Sequence, residues 1–356
     1  MSDIETAAAD NMIELKEYKR DDFSSSQTPR WCPGCGDYSI LAQVQRIMPD
    51  VCKELQMPKE NLVFISGIGC SSRFPYYMDT YGFHSIHGRA PTLATGLQVA
   101  RPELMTWVVT GDGDSLSIGG NHLMHCLRRN VNIKILMFNN EIYGLTKGQY
   151  SPTSKMGKQT KSSPQGSTAR PLTPASVALA SQATFVARAV ATDAKLLKEV
   201  LMQAARHKGS AFVEIYQNCN IFNDGAFAHF TDKSVRAERT VKLEHGQPLI
   251  FGKAKDKAIA VTGKGADSRM QVVNVADVDP ADIVVHNAHA ENSAYAHSLA
   301  ELHYPDFPVP MGVLRDIDIP TYEELVHQQV ANAKAKFGEG DLEQLLNSGD
   351  TWVVED

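Results

Sequence analysis

The sequence at residues 105–116 is MTWVVTGDGDSL, and its pattern is the strongest indication of the fold class. Its first six residues are mainly apolar and β-branched, which is typical of a strand buried on both faces of a parallel sheet. Glycine and aspartate then end the strand, and Asp112 opens a predicted helix. A buried strand that turns directly into a helix is half of a βα unit, so the stretch predicts an α/β protein.

The same alternation of strand and helix extends on both sides of this stretch. Short apolar runs predict strands at Leu62–Ser66, Met105–Thr110, Ile133–Asn139, Ala183–Ala189 and Ala211–Tyr216. Helices are predicted at Tyr38–Met48, Pro91–Arg101, Ser115–Arg129, Pro174–Ser181 and Ala194–His207. This rhythm predicts a doubly wound, mostly parallel sheet.

The chain is expected to divide into three parts. Residues 1–22 are interpreted as an N-terminal lead-in, residues 23–235 as the domain that carries the sheet, and residues 236–356 as a C-terminal extension. The extension is expected to wrap the core or meet a partner. Its strand–helix rhythm is weaker, and only a strand-like Ile283–His286 and a final helix around Thr321–Phe337 stand out.

One internal segment is unusually long for a loop. Tyr150–Pro174 is rich in small, polar and basic residues, which favours a functional loop or disorder. Its lysines Lys155, Lys158 and Lys161 could bind phosphates of a ligand, contact a partner or simply face solvent. The sequence does not decide between these roles.

Bulk composition excludes several classes of function. The 356 residues are 43% hydrophobic and 21% charged, which is typical of a soluble globular protein. A net charge of -6 argues against binding nucleic acid, which needs a basic surface. No stretch reaches the roughly 20 apolar residues of a membrane span, and the first ten residues are polar and acidic, unlike a secretion signal. We therefore expect a cytoplasmic protein.

Two polar motifs follow neighbouring predicted strands. Gly111-Asp112-Gly113 ends one strand and Asn139-Asn140 ends the next, with the 25 residues 114–138 between them. Either motif alone would be interpreted as a tight turn. Ligands of parallel sheets bind beyond the carboxyl ends of the strands, where both motifs should lie. The pair has the spacing of the thiamine diphosphate signature and therefore predicts this cofactor.

The residue types in these motifs suit a metal-anchored diphosphate. Mg²⁺ requires hard oxygen ligands in near-octahedral geometry. Asp112 offers a carboxylate, Asn140 an amide oxygen and Ile142 a backbone carbonyl. The glycines Gly111 and Gly113 would let the backbone approach the phosphates, and a helix N-terminus would attract their negative charge.

Four of the six cysteines lie in predicted loops. Cys32 and Cys35 form a CxxC turn before a helix, Cys70 follows the first strand, and Cys219 follows the last. Four thiolates can hold a tetrahedral zinc ion or an iron–sulfur cluster, and the spacing does not distinguish them. A redox-active disulfide would need a strand upstream, which the polar Ser24–Arg30 does not provide.

The predicted cofactor favours iron. Thiamine diphosphate converts a 2-oxoacid into an electron-rich intermediate, and an iron–sulfur cluster accepts electrons whereas zinc does not. The other cysteines, Cys52 and Cys126, are predicted to pack in the core. Two alternatives stay open. One is a thiamine-dependent decarboxylase or synthase whose cysteines hold zinc or nothing, and the other is an iron–sulfur electron-transfer module without thiamine diphosphate.

Five motifs together resemble the β subunit of the 2-oxoacid:ferredoxin oxidoreductases. They are WCPGCG at residues 31–36, GIGCSSR at 67–73, HGRA at 87–90, GDGD at 111–114 and NNEIYG at 139–144. The resemblance covers most of residues 28–230. It implies a [4Fe–4S] cluster held by Cys32, Cys35, Cys70 and Cys219.

The resemblance also implies partners and a reaction. The partners are an α subunit, in a heterodimer or a dimer of heterodimers, and ferredoxin as the electron acceptor. The reaction is the coenzyme A-dependent oxidative decarboxylation of a 2-oxoacid, or its reverse. The version CSSRFPYY at residues 70–77 resembles enzymes that act on 2-oxoglutarate, with pyruvate and other 2-oxoacids as alternatives.

Further site residues follow from the same resemblance. Arg73 is predicted to bind a substrate carboxylate, because guanidinium offers a bidentate fork, although a salt bridge at the surface is the alternative. His87 and Gly88 are expected beside the diphosphate, although a lone histidine can also be structural. The remaining expected cofactor contacts are Ile68, Gly69, Cys70, Ser72, Asp114, Gly144 and Leu145.

Overall fold

The computed structural model describes residues 16–263 and 265–355, so residues 1–15 of the expected lead-in lie outside the described residues. The strands are β1 (Leu62–Ser66), β2 (Tyr81–His84), β3 (Met105–Gly111), β4 (Ile133–Asn139), β5 (Phe185–Val190), β6 (Ala211–Tyr216), β7 (Thr240–Leu243), β8 (Ile250–Phe251), β9 (Lys257–Thr262), β10 (Arg269–Asn274) and β11 (Val309–Asp316).

The α-helices are α1 (Asp37–Glu54), α2 (Ala90–Ala100), α3 (Asp112–Leu116), α4 (Gly120–Arg128), α5 (Pro174–Ala180), α6 (Ala194–Arg206), α7 (Ala228–Thr231), α8 (Arg236–Arg239), α9 (Ala294–Ala300), α10 (Tyr322–Phe337) and α11 (Leu342–Leu346). Short 3₁₀ helices occur at Arg20–Phe23, Lys59–Asn61, Ser71–Tyr77, Gly265–Asp267, Val275–Asp277 and Pro280–Asp282.

Eight strands form the central sheet in the order β2-β1-β3-β4-β6-β5-β11-β7. The first six run parallel to one another, and β11 pairs antiparallel with β5. A separate antiparallel sheet contains β10, β9 and β8. The prediction of an α/β fold with a doubly wound, mostly parallel sheet is confirmed.

Helices cover both faces of the central sheet. The strand β1 shows why, because all five of its residues are buried and alternate residues enter two different apolar clusters. Leu62 and Phe64 pack into the cluster that contains α1 and α6, whereas Val63 and Ile65 pack into the cluster that contains α2, α4, α5 and α9. In the described part of the chain, none of the helices has the length and apolar character needed to cross a membrane.

The predicted elements agree closely with the structure in the first two thirds of the chain. Strands β1, β4 and β6 have the predicted bounds, β3 extends to Gly111, and β5 begins at Phe185 instead of Ala183 and ends at Val190 instead of Ala189. The predicted helix Ser115–Arg129 is wrong as one element. It is two helices, α3 and α4, which are separated by residues 117–119, and the weak helix former Gly119 is the N-cap of α4.

The C-terminal part departs most from expectation. Ile283–His286 is not a strand and forms only isolated bridges, from Ile283 to Ala260 and from Val285 to Pro248. The strands β7 and β11 instead join the central sheet at its edge. The final helix predicted around Thr321–Phe337 is present as α10. The division of the chain at residue 235 stays a prediction.

Candidate functional site

A cavity of about 570 Å³ lies at the carboxyl ends of β1, β3 and β4. This is the edge at which a parallel sheet binds its ligands. Most of the predicted cofactor contacts line this cavity, which we call the diphosphate cavity. These residues are Ile68, Gly69, Cys70, His87, Gly111, Asp112, Gly113, Asp114, Asn140, Ile142, Gly144 and Leu145.

The carboxylate of Asp112 is held inside the protein by the long loop. Its Oδ2 accepts hydrogen bonds from Ser151 Oγ and Thr153 Oγ1, each at 2.6 Å. Burial raises the pKa of Asp112 to about 6, and the two hydroxyls partly offset that rise. The carboxylate therefore has a fixed orientation and an environment in which a nearby cation would favour its charged form.

The second motif forms a strained turn after β4. Asn140 Oδ1 accepts a hydrogen bond from the backbone N–H of Ile142 at 3.2 Å, and Asn223 Nδ2 donates to the Asn140 carbonyl at 2.9 Å. Glu141, between them, has a φ of 53°, in the left-handed region that most side chains avoid. Ser154 Oγ donates to the Glu141 carbonyl at 2.6 Å, so the turn is held from both sides.

The carboxylate of Asp114 accepts hydrogen bonds from three separate segments of the chain. Its Oδ1 accepts from the backbone N–H of Ile68 at 3.0 Å and of Gly88 at 2.7 Å, and its Oδ2 accepts from Thr110 Oγ1 at 2.6 Å. His87 Nδ1 lies 2.7 Å from Oδ1, but the approach is not aligned for a hydrogen bond. Asp114 therefore positions the backbone on two sides of the diphosphate cavity.

A second cavity, of about 220 Å³, is lined by Cys32, Cys35, Cys70 and Cys219, and we call it the cysteine cavity. The sequence prediction brought together these four cysteines, and the structure places them around one space. Burial raises the pKa of Cys35 and raises that of Cys70 to about 12, so these thiols resist ionisation unless a cation binds them.

The cysteine cavity does not have the geometry of a site for one ion. Among residues 16–263 and 265–355, no group of three or more His, Cys, Asp and Glu side chains could hold a metal ion. Gln217 Nε2 donates to Cys35 Sγ at 3.1 Å. The structure therefore places the four cysteines around one cavity without arranging three of them as ligands of a single ion.

The two cavities adjoin. Cys70, Asn140, Gly144 and Leu145 line both of them. Gly144 forms part of the wall, since a Cβ there would lie 3.4 Å from Cys70 Sγ and 3.6 Å from Cys219 Sγ. A glycine at this position keeps the wall between the cavities as thin as the backbone allows.

Some predicted residues lie elsewhere. Arg73 lines the cysteine cavity and not the diphosphate cavity, and its Nη1 donates to the Arg30 carbonyl at 2.6 Å. Ser72 is fully buried and does not line the diphosphate cavity. Its neighbour Ser71 lines the cavity instead. Gly88 also lies outside the lining and reaches the site through its bond to Asp114.

Sequence reasoning missed several lining residues. Tyr143 sits inside the NNEIYG motif, and its hydroxyl donates to the Gly113 carbonyl at 3.1 Å. Its place in that motif was the available signal. Ser151 and Thr153, which bind Asp112 but do not line the diphosphate cavity, had only the polar composition of their loop as a signal. The other lining residues that were missed are Asp37, Ser71, Phe138, Thr146 and Gln149.

Comparison with known proteins adds independent findings. Residues 67–215 match the family model of the thiamine pyrophosphate enzyme C-terminal TPP-binding domain. The chain is 52% identical to the 2-oxoglutarate oxidoreductase subunit KorB of Mycobacterium tuberculosis, across 95% of this chain and 89% of that protein. It is 44% identical to the 2-oxoacid:ferredoxin oxidoreductase 1, subunit beta of Aeropyrum pernix, across 64% of this chain and 70% of that protein.

A solved structure is also similar. It is the 2-oxoglutarate:ferredoxin oxidoreductase from Magnetococcus marinus with 2-oxoglutarate, coenzyme A and succinyl-CoA bound. The TM-score is 0.71 at 31% sequence identity, and the match covers 95% of this chain and 98% of that one. The similarity therefore extends through the C-terminal part of the chain.

The anchoring role of Asp114 predicts the effect of a single methyl group. A Cβ on Gly67 would lie 1.9 Å from Asp114 Oδ2, which cannot move without losing its bond from Thr110. We expect Gly67→Ala to lower the free energy of unfolding by about 1–3 kcal/mol, the usual cost of overpacking. Chemical denaturation measures this difference.

Gly96→Ala is the matched control. Gly96 lies within α2, and apart from its chain neighbours and the nearby backbone of α2, no described atom lies within 4 Å of a Cβ built there. Because alanine is the better helix former, this change should be neutral or stabilising. Equal stability of the two variants would show that Asp114 is not a rigid anchor.

Proposed function

The chain belongs to the β subunits of the 2-oxoacid:ferredoxin oxidoreductases, and from this we propose that it catalyses, with an α subunit, the oxidation of 2-oxoglutarate. The reaction would consume coenzyme A, yield succinyl-CoA and CO₂, and pass electrons to ferredoxin, or run in reverse. Relatives named for 2-oxoglutarate and the ligands of the Magnetococcus marinus structure support this substrate. The structural observation that best supports this function is the wall that the diphosphate and cysteine cavities share.

The diphosphate cavity is proposed to hold thiamine diphosphate through Mg²⁺. Asp112, Asn140 and the carbonyl of Ile142 would supply the carboxylate, amide and carbonyl oxygens that this ion prefers. The match of residues 67–215 to a TPP-binding domain supports the cofactor. Because Ser151 and Thr153 orient the Asp112 carboxylate, we propose that they help to position the ion.

The cysteine cavity is proposed to hold a [4Fe–4S] cluster through Cys32, Cys35, Cys70 and Cys219. Zinc bonds of ~2.3 Å bring four sulfurs close around one point, whereas a cluster needs a wider space. The four cysteines help to line a cavity of about 220 Å³, which supports the larger group. Thiamine diphosphate would supply the decarboxylation chemistry and the cluster would accept electrons, with Gly144 keeping the path between them short.

Arg73 stays the proposed contact for the second carboxylate of 2-oxoglutarate. It borders Cys70 in sequence and lines the cavity that adjoins the diphosphate cavity. To reach a substrate it would exchange its hydrogen bond with the Arg30 carbonyl for one with the carboxylate. An α subunit and ferredoxin are the proposed partners, and the cytoplasm is the proposed location.

The substrate is tested by assaying the enzyme as a complex. The chain is co-purified anaerobically with its α subunit, and reduction of a viologen is followed with each 2-oxoacid plus coenzyme A. We expect 2-oxoglutarate to give the highest kcat/KM. Changing Arg73→Met should reduce kcat/KM more for 2-oxoglutarate than for pyruvate, because only the former has a second carboxylate. A preference for pyruvate would contradict the substrate, and equal losses would remove the role of Arg73.

The metal-anchored diphosphate predicts a specific loss of affinity. Asp112→Asn removes the only negative charge proposed to bind Mg²⁺, so thiamine diphosphate should bind at least ~10-fold more weakly in the presence of Mg²⁺. Isothermal titration with the cofactor measures this. Asp277→Asn, at an exposed position, is the control and should bind as the wild type does. Unchanged affinity in Asp112→Asn would refute the proposed ligand.

The cysteine cavity predicts which thiols retain iron. Cys219→Ser should lower the iron and sulfide content of anaerobically prepared protein, because serine replaces one of the four proposed ligands. Cys52→Ser is the control, since Cys52 is buried against the core and outside this cavity. Stoichiometric zinc without sulfide in the wild type would instead support the zinc alternative.

A further inference from the structure

A third cavity, of about 210 Å³, lies on the other side of the turn that follows β4. Asn139 and Glu141 line this third cavity, whereas Asn140 and Ile142 line the diphosphate cavity. We propose that the third cavity binds a small organic carboxylate, with Arg188 as its principal partner. The binding itself does not depend on the proposed function of the chain.

Arg188 is fully buried and incompletely paired. Its Nε donates to Glu214 Oε2 at 2.9 Å, and its Nη2 donates to the carbonyl of Ala300 at 2.9 Å. Its Nη1 has no hydrogen-bond partner among the described residues, although it belongs to a side chain with no exposed surface. A buried donor of a charged group is rarely left without an acceptor, and Arg188 lines the third cavity. An acceptor is therefore expected there.

Arg188 and Lys155 place two positive charges at the third cavity. Glu214 already balances Arg188, and its Oε1 accepts from Asn139 Nδ2 at 2.8 Å. Lys155 adds a positive charge at the exposed rim, and none of the ion pairs found in the described residues includes it. Glu141 is the other acidic residue in the lining of the third cavity.

Aromatic walls favour an organic ligand over an inorganic one. The ring of Tyr216 lies 4.7 Å from that of Phe227 and 5.3 Å from that of Phe230, between ring centroids. Tyr304 also lines the third cavity. The volume of 210 Å³ suits a small molecule. A short aliphatic carboxylate fits both the apolar wall and the cationic side.

Hydrogen bonds link this cavity to Asp112. Glu214 joins Arg188 to the Asn139 amide, whose Oδ1 accepts from Thr153 Oγ1 at 3.1 Å. The same hydroxyl lies 2.6 Å from Asp112 Oδ2, so it can donate to only one of these acceptors at a time. Given the proposed function, a bound carboxylate should alter thiamine diphosphate affinity, and the cofactor should alter carboxylate affinity by the same factor.

The test uses butyrate as the probe, because it is a monocarboxylate with six non-hydrogen atoms and not a 2-oxoacid. Isothermal titration of butyrate into the complex with the α subunit should show one site for each β chain. Lys155→Met should weaken binding by about tenfold, the usual scale for a hydrogen bond to a charged group. Lys161→Met, in the same loop but outside the lining, should leave it unchanged.

A second variant tests Arg188 directly. Arg188→Met combined with Glu214→Gln removes both buried charges, so neither is left unpaired. If this variant folds, butyrate binding should be lost, and binding as in the wild type would overturn the proposal. If it does not fold, the comparison of Lys155→Met with Lys161→Met decides.

Three other outcomes also overturn the site. They are the absence of butyrate binding, equal effects of Lys155→Met and Lys161→Met, and phosphate binding that is as tight and as dependent on Lys155 as butyrate binding. Failure of turnover or of thiamine diphosphate binding would refute the proposed function but would leave a positive butyrate titration intact. The two proposals can therefore fail separately.

Discussion

The buried carboxylate of Asp114 is the interaction on which the site is built. It ties the turn after β1 to the His87-Gly88 turn and to the end of β3, through two backbone N–H groups and one hydroxyl. These segments are distant in sequence, and each would lose a hydrogen bond inside the protein if the carboxylate were absent. The shape of the diphosphate cavity therefore depends on Asp114, whose carboxylate oxygens both accept hydrogen bonds from other residues of the chain.

The central strands and the location of the site could be predicted because their signals are local. A strand covered on both faces must be apolar throughout, so β1, β4 and β6 were visible as short continuous runs. Residues that follow such strands must share one edge of the sheet. This alone placed Asp112, Asn140 and Cys70 beside one another, as the lining of the diphosphate cavity bears out.

The missed features depend on contacts between distant parts of the chain. The strand β11 contains Pro310 and Gly312, which weaken its local signal, and it is a strand because it pairs with β5 and β7. All of β2 is exposed, so it lacks the apolar pattern of a buried strand. Ser151 and Thr153 lie in a polar loop, and only the folding of this loop against the start of α3 reveals that they bind Asp112.

Each of the two cavities is lined by an acidic group whose ionised form is disfavoured by burial. Burial raises the pKa of Asp112 to about 6 and that of Cys70 to about 12, so each charge is costly without a cation nearby. The cations proposed for the two cavities would require deprotonated ligands and would offset this cost. Because Gly144 and Cys70 line both cavities, occupation of one should also stabilise the wall of the other. The two sites are thus expected to assemble together.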